Sequence, residues 1–277
     1  MALTDYLPAV VPRKPASTLT RWRPRDQGSG FDRGAALLAL AALCDSGIEH
    51  YRGSFHNKTM YLPLGVAALT LAASLRGSVT RSGNGADPAV DGLAIATGIA
   101  GTALHVYNVG KRPGRLSWQN LFYSAPLGAP AALILAGLLR RLAATGGGDG
   151  TLLARLVSLG LLGSSAEAAL LHYRGAFHDP AMVIPVTIPP LVAGLLGRAA
   201  RHPRKRHVAV RWGLRLLVGI GFLGSAFHAY GISRNMGGWR NWSQNILNGP
   251  PLPAPPAFTA LAVAGLAALD LIEKGRA

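Results

Sequence analysis

Long apolar blocks of Ala, Leu, Gly and Val alternate along the chain with short polar segments. The apolar runs fall at about 34–51, 61–76, 92–109, 126–142, 152–173, 182–197, 213–231 and 254–272. Most lack the continuous polar face that a helix on a soluble protein keeps. The pattern predicts an all-α polytopic membrane protein of about eight transmembrane helices. Several runs fall short of the ~20 residues an untilted span needs, so their boundaries are expected to move by a few residues. The sixth run holds Pro185, Pro189 and Pro190, which predicts a kinked or partly unwound helix.

The polar segments between the runs repeat. His50-Tyr-Arg-Gly-Ser-Phe-His56 returns as His172-Tyr-Arg-Gly-Ala-Phe-His178, and Met60 and Pro63 return as Met182 and Pro185 at the same offset. His105-Val-Tyr107 pairs with His228-Ala-Tyr230. Gln119-Asn120-Leu121, followed by Pro126, pairs with Gln244-Asn245-Ile246, followed by Pro251. Blocks in one order at nearly constant offset are the mark of a duplicated unit. The chain therefore reads as a basic N-terminal tail (1–30), a four-helix repeat (31–143), a Gly-rich linker (144–149) and a second four-helix repeat with a short tail (150–277). An even number of spans per copy gives both copies the same orientation, the parallel arrangement.

Charge sets the expected orientation. Of the 28 Lys and Arg residues, 20 fall in the segments on the N-terminal side of the spans and 8 on the other. The basic excess marks the cytoplasmic side, so both termini are expected there, in a bacterial-type inner membrane. The same excess gives the net charge of +16, which here points to anionic lipid as a partner and away from nucleic acid. Only 14% of residues are charged, against about 25% in soluble domains. Cys44, the one cysteine, excludes an intrachain disulfide and a Cys-rich metal site.

In this layout six of the eight histidines gather at the outer face. The leading expectation is two b-type hemes, one held by His50 and His105 and the other by His172 and His228. Each pair comes from two helices running the same way, and Arg52 and Arg174 stand where a guanidinium pairs with a heme propionate. The protein would then be an electron-transfer subunit, with quinone and a periplasmic redox protein as partners. A second expectation is a copper, iron or zinc site with three histidines per copy, His50, His56 and His105, then His172, His178 and His228. A third is a proton-coupled transporter, or a structural subunit, in which the aligned Asp45 and Glu167 carry protons. Gln119, Asn120, Gln244 and Asn245 are expected to hold the outer loops or to orient a ligand histidine. No Gly-rich phosphate loop or Ser-His-Asp order is present, so no catalytic residue is assigned.

Overall fold

The computed structural model describes residues 25–79, 87–144, 149–203 and 205–274. Most of the expected N-terminal tail and of the Gly-rich linker lies outside these residues. The described chain is helical throughout. Its long helices are α1 (Arg25–Arg52), α2 (Leu62–Val79), α3 (Pro88–Gly110), α5 (Gly128–Ala144), α6 (Gly150–Arg174), α7 (Ile184–Ala199), α8 (Val208–Arg234) and α10 (Pro256–Glu273). Two short helices, α4 (Trp118–Phe122) and α9 (Trp242–Asn248), sit in connections, and 3-10 turns at Lys58–Tyr61, Pro180–Val183 and Gly238–Asn241 precede α2, α7 and α9.

Each of the eight apolar runs forms a helix, but among the described residues six segments are long and apolar enough to cross a membrane. They are Lys58–Val79, Pro88–Gly110, Gly150–Arg174, Pro180–Ala199, Val208–Arg234 and Pro256–Glu273. Helices α1 and α5 are outside this set. Helix α5 is 17 residues long and carries Arg140 and Arg141 near its end, and α1 carries Asp32, Arg33, Asp45 and Glu49. The partial unwinding expected in the sixth run is not seen at its central prolines: α7 continues through Pro189 and Pro190. Pro189 is buried, and packing by neighbours is the usual reason a proline is tolerated inside a membrane helix.

Local chemistry starts and stops the helices where the polar segments lie. The Asp87 carboxylate accepts from the Val90 amide at 3.2 Å, with Pro88 opening α3. Asp149 accepts from Thr151 N at 2.8 Å at the start of α6.

Helix α10 is the most enclosed and packs against α1, α6 and α8. Helix α1 also packs on α2 and α5, α3 packs on α5, and α7 on α6. The core is Ala- and Leu-rich, with Ala35, Leu38, Leu133, Leu161, Leu214 and Leu261 fully enclosed. Outward, Leu69, Ile99, Leu159, Leu191 and Leu216 are more than half exposed. So much bare aliphatic surface fits contact with acyl chains.

Glycines set the helix spacing. A methyl group on Gly98 of α3 would lie 2.5 Å from Pro130 O and 2.6 Å from Ile134 Cγ1 of α5. Gly221 of α8 meets Pro255 O and Thr259 of α10 in the same way. Gly98→Val is expected to force α3 from α5 at a cost of about 1–3 kcal/mol, read as a lower Tm in detergent. Gly219→Ala, where nothing lies within 4 Å, is the control and leaves Tm in place.

Candidate functional site at the histidine end

Contacts fix which helix ends lie together. Asp32 near the start of α1 and Asp91 in the first turn of α3 both reach Arg140 near the end of α5. Arg211 near the start of α8 reaches Asp270 near the end of α10, and Gly150, which opens α6, abuts Leu271. The first residues of α1, α3, α6 and α8 therefore share one end of the bundle. Their last turns, with His50, His105, His172 and His228, share the other.

All four of these histidines are half-buried and bound through the same atom. His50 Nδ1 lies 2.7 Å from Met60 O, and His172 Nδ1 lies 2.8 Å from Met182 O. His105 Nδ1 lies 3.1 Å from Pro126 O, and His228 Nδ1 lies 2.7 Å from Pro251 O. A carbonyl oxygen only accepts, so in each ring Nδ1 carries the proton and donates. Nε2 is then left with its lone pair. His105 is within electrostatic range of His50, and His228 of His172.

The turn after the first histidine of each pair explains the repeated residue types. The chain reverses with Ser54 and Phe55 at φ of 55° and 45°, and Ala176 and Phe177 at 55° and 46°. Phe55 N donates to His50 O at 3.0 Å, as Phe177 N does to His172 O. The Phe ring then meets its histidine edge-on, at 6.2 Å for His50 and 6.0 Å for His172. Gly53 and Gly175 leave room for the methyl groups of Met60 and Met182, which would lie 3.2 and 3.1 Å from an added Cβ.

His56 and His178 do not turn back toward these pairs. Each is exposed and donates from Nδ1 to the carbonyl three residues earlier, Gly53 O at 3.1 Å and Gly175 O at 2.9 Å. Among the described residues, no group of three or more His, Cys, Asp or Glu side chains is placed to hold a metal ion.

The asparagines hold loops. Asn120 Nδ2 donates to Pro113 O and Arg115 O, both at 2.8 Å. Asn245 Nδ2 donates to Met236 O at 3.2 Å and Gly238 O at 2.8 Å. Each clamps a turn that needs positive φ, at Gly114 (80°) and Gly237 (81°). Gln244 accepts from Asn241 at 3.2 Å. Among the described residues, no hydrogen bond joins Gln119, Asn120, Gln244 or Asn245 to a histidine.

The arginines and carboxylates complete this end. Arg52 pairs with Glu49 at 2.7 Å. Arg174 lies 5.4 Å over the Phe122 ring, and its Nε is buried with no hydrogen-bond partner. Glu167 accepts from the Gly128 amide at 3.0 Å, which caps α5 from the neighbouring helix. The partner of Glu167 is thus a helix terminus. Asp45 lies within electrostatic range of Glu167 and Glu49.

The opposite end of the bundle holds a buried ionic triad. Arg140 is 2% exposed, with Nε on Asp91 Oδ1 at 2.7 Å and a terminal nitrogen on Asp32 Oδ1 at 2.8 Å. Asp91 is fully buried, and its Oδ2 has no partner. Arg140 counts in the sequence as one more basic residue at a span end. The signal that finds the triad is an acidic residue beginning one apolar run and an arginine ending the next. Compared with protein-family models, curated proteins and solved structures, the chain matches none.

Proposed function

We propose that the chain is a multi-pass membrane electron-transfer subunit that binds two b-type hemes, through His50 with His105 and His172 with His228. The observation that carries this reading is the common state of the four rings. Each is held by Nδ1 donation to a backbone carbonyl, and each keeps Nε2 available, the arrangement in which a histidine ligates a metal. The donor set fits the group. Four nitrogens serve two irons in pairs, the unpartnered Arg174 Nε suits a propionate, and the flank of α1 at Gly47, one turn before His50, is open for 4 Å. Hemes held in this way supply one-electron transfer. The chain's own part is to fix the ring orientation and tautomer, to bury the pair partly, and to set an arginine beside it.

In this reading all eight long helices cross the membrane as two four-helix copies of one orientation. It is supported by the matched contacts: His50 and His172 with Met carbonyls, His105 and His228 with Pro carbonyls, Asn120 and Asn245 with loop carbonyls. The distribution of Arg and Lys supports cytoplasmic termini in an inner membrane and a periplasmic histidine end, where quinone and a periplasmic redox protein are the partners.

The test is a dithionite-reduced minus oxidised visible spectrum of the detergent-purified protein, with iron counted per chain. Sharp reduced bands and two irons are expected. A colourless protein after expression with ample heme overturns the reading. A second reading, proton transfer, rests on the proximity of Asp45 to Glu167. It expects Asp45→Asn to stop proton flux in proteoliposomes while any chromophore stays, and unchanged flux removes it.

A further inference from the structure

Away from the histidines, a groove of about 450 Å³ opens between α1, α8 and α10. Its polar rim is Arg33, Arg215 and Asp270, and its deeper wall is Val218, Val263 and Leu266. The three polar residues lie toward the end where α1 and α8 begin, and the apolar wall runs toward the middle of the bundle. The groove is thus charged at its mouth and aliphatic inside.

The charges are unevenly committed. Asp270 is already paired: Arg211 donates to it at 2.8 Å and to Glu273 at 2.6 Å. Arg215 lies 4.9 Å over the ring of Trp212, which is 63% exposed. Among the described residues, neither Arg33 nor Arg215 has a carboxylate partner. Around the groove, Arg33, Arg211 and Arg215 outnumber Asp270 and Glu273, so one positive charge remains. An exposed tryptophan under a guanidinium is a composition typical of the headgroup layer of a bilayer.

We propose that this groove binds one anionic phospholipid, with its phosphate between Arg33 and Arg215 and an acyl chain along Val218, Val263 and Leu266. The site rests on the membrane reading of the chain and is independent of heme. Two guanidiniums with no carboxylate of their own match a phosphate diester in charge and in hydrogen-bond geometry. Basic pockets between membrane helices at the cytoplasmic face take such headgroups. The chain's own first 24 residues are a poor occupant, because they carry Arg13, Lys14, Arg21 and Arg23 and would meet like charge.

The experiment uses the full chain, equilibrated in detergent with equimolar phosphatidylglycerol and phosphatidylcholine, washed, and weighed by native mass spectrometry. One phosphatidylglycerol per chain is expected to remain. Arg33→Gln and Arg215→Gln each lower its affinity about fivefold, and the pair about thirtyfold. Val263→Phe, which narrows the apolar part and keeps both arginines, lowers retention as well, so the result does not hang on one variant. Equal retention of the two lipids overturns the assignment, as does retention unchanged in the double variant. Binding of inorganic phosphate alone with similar affinity also overturns it, because the acyl wall would then contribute nothing. Retention that appears only after residues 1–24 are removed places that basic segment in the groove instead.

Discussion

His105→Ala is expected to remove half of the reduced-heme absorbance and one of two irons, and His50→Ala the same half. His172→Ala and His228→Ala each remove the other half, and His50→Ala with His172→Ala yields a colourless protein. His56→Ala and His178→Ala keep the full spectrum, because those rings are exposed and bonded within their own turn. The expected effect is large because each heme would be held by two imidazoles, and loss of either would remove half of its attachment to the chain. The measurement is the pyridine hemochrome of each variant set against its iron content. If the histidines serve only to pin the loops, the wild type itself is colourless. Each alanine then costs about 1 kcal/mol, the usual net contribution of one hydrogen bond. Loss of absorbance on His56→Ala equal to that on His50→Ala would instead favour a three-histidine metal site.

Arg140→Leu is expected to be the most damaging single change at the other end. It leaves the fully buried Asp91 without its counter-charge. Breaking a buried pair in this way costs about 3–5 kcal/mol, read as a large fall in Tm in detergent. The second half of the chain supplies the rescue. The residues aligned with Asp32, Asp91 and Arg140 are Ala154, Leu214 and Gly265. There Leu214 Cδ2 lies 2.8 Å from where a Gly265 Cβ would stand. If the two halves are matched copies, leucine in the second takes the place of the ionic triad in the first. Asp32→Ala, Asp91→Leu and Arg140→Gly together are therefore expected to recover most of the lost Tm, since well-packed apolar groups commonly match a buried ionic cluster. A triple variant no more stable than Arg140→Leu would show that the triad holds more than its own space.

Much of this arrangement was legible in the residues, for identifiable reasons. Eight apolar runs gave eight helices, because helix formation inside an apolar segment needs no partner. The histidine pairs were placed at one end by counting spans, which needs only alternation. What the residues could not disclose was the direction of each hydrogen bond. Nothing local says that His50 donates to Met60 O, ten residues on, while His56 stays with Gly53 O. That depends on the reversal at Ser54 and Phe55, whose left-handed φ values no side-chain pattern announces. The number of spans also depended on more than apolarity. Helix α1 falls outside the set because it carries Asp32, Arg33, Asp45 and Glu49, and α5 because it is only 17 residues long. The sequence shows those charges as separate interruptions, 108 residues apart for Asp32 and Arg140. Pro189 and Pro190 point locally to a kink or unwinding, and α7 stays helical through both, with Pro189 buried.

That separation of Asp32 from Arg140 also bears on biogenesis. At a synthesis rate of about 5–20 residues per second, the first helix waits roughly 5–20 s for the arginine that neutralises it. Asp91 waits for the same residue. During that interval two carboxylates near helix starts lack the buried arginine that pairs with them in the folded chain, and nearby arginines, lipid headgroups or water must shelter them. The second half imposes no such delay, since Ala154 and Leu214 can enter the bilayer as they emerge. The first half of the molecule is thus the part whose insertion depends on order and timing, and the ionic triad closes only when its fourth long helix arrives.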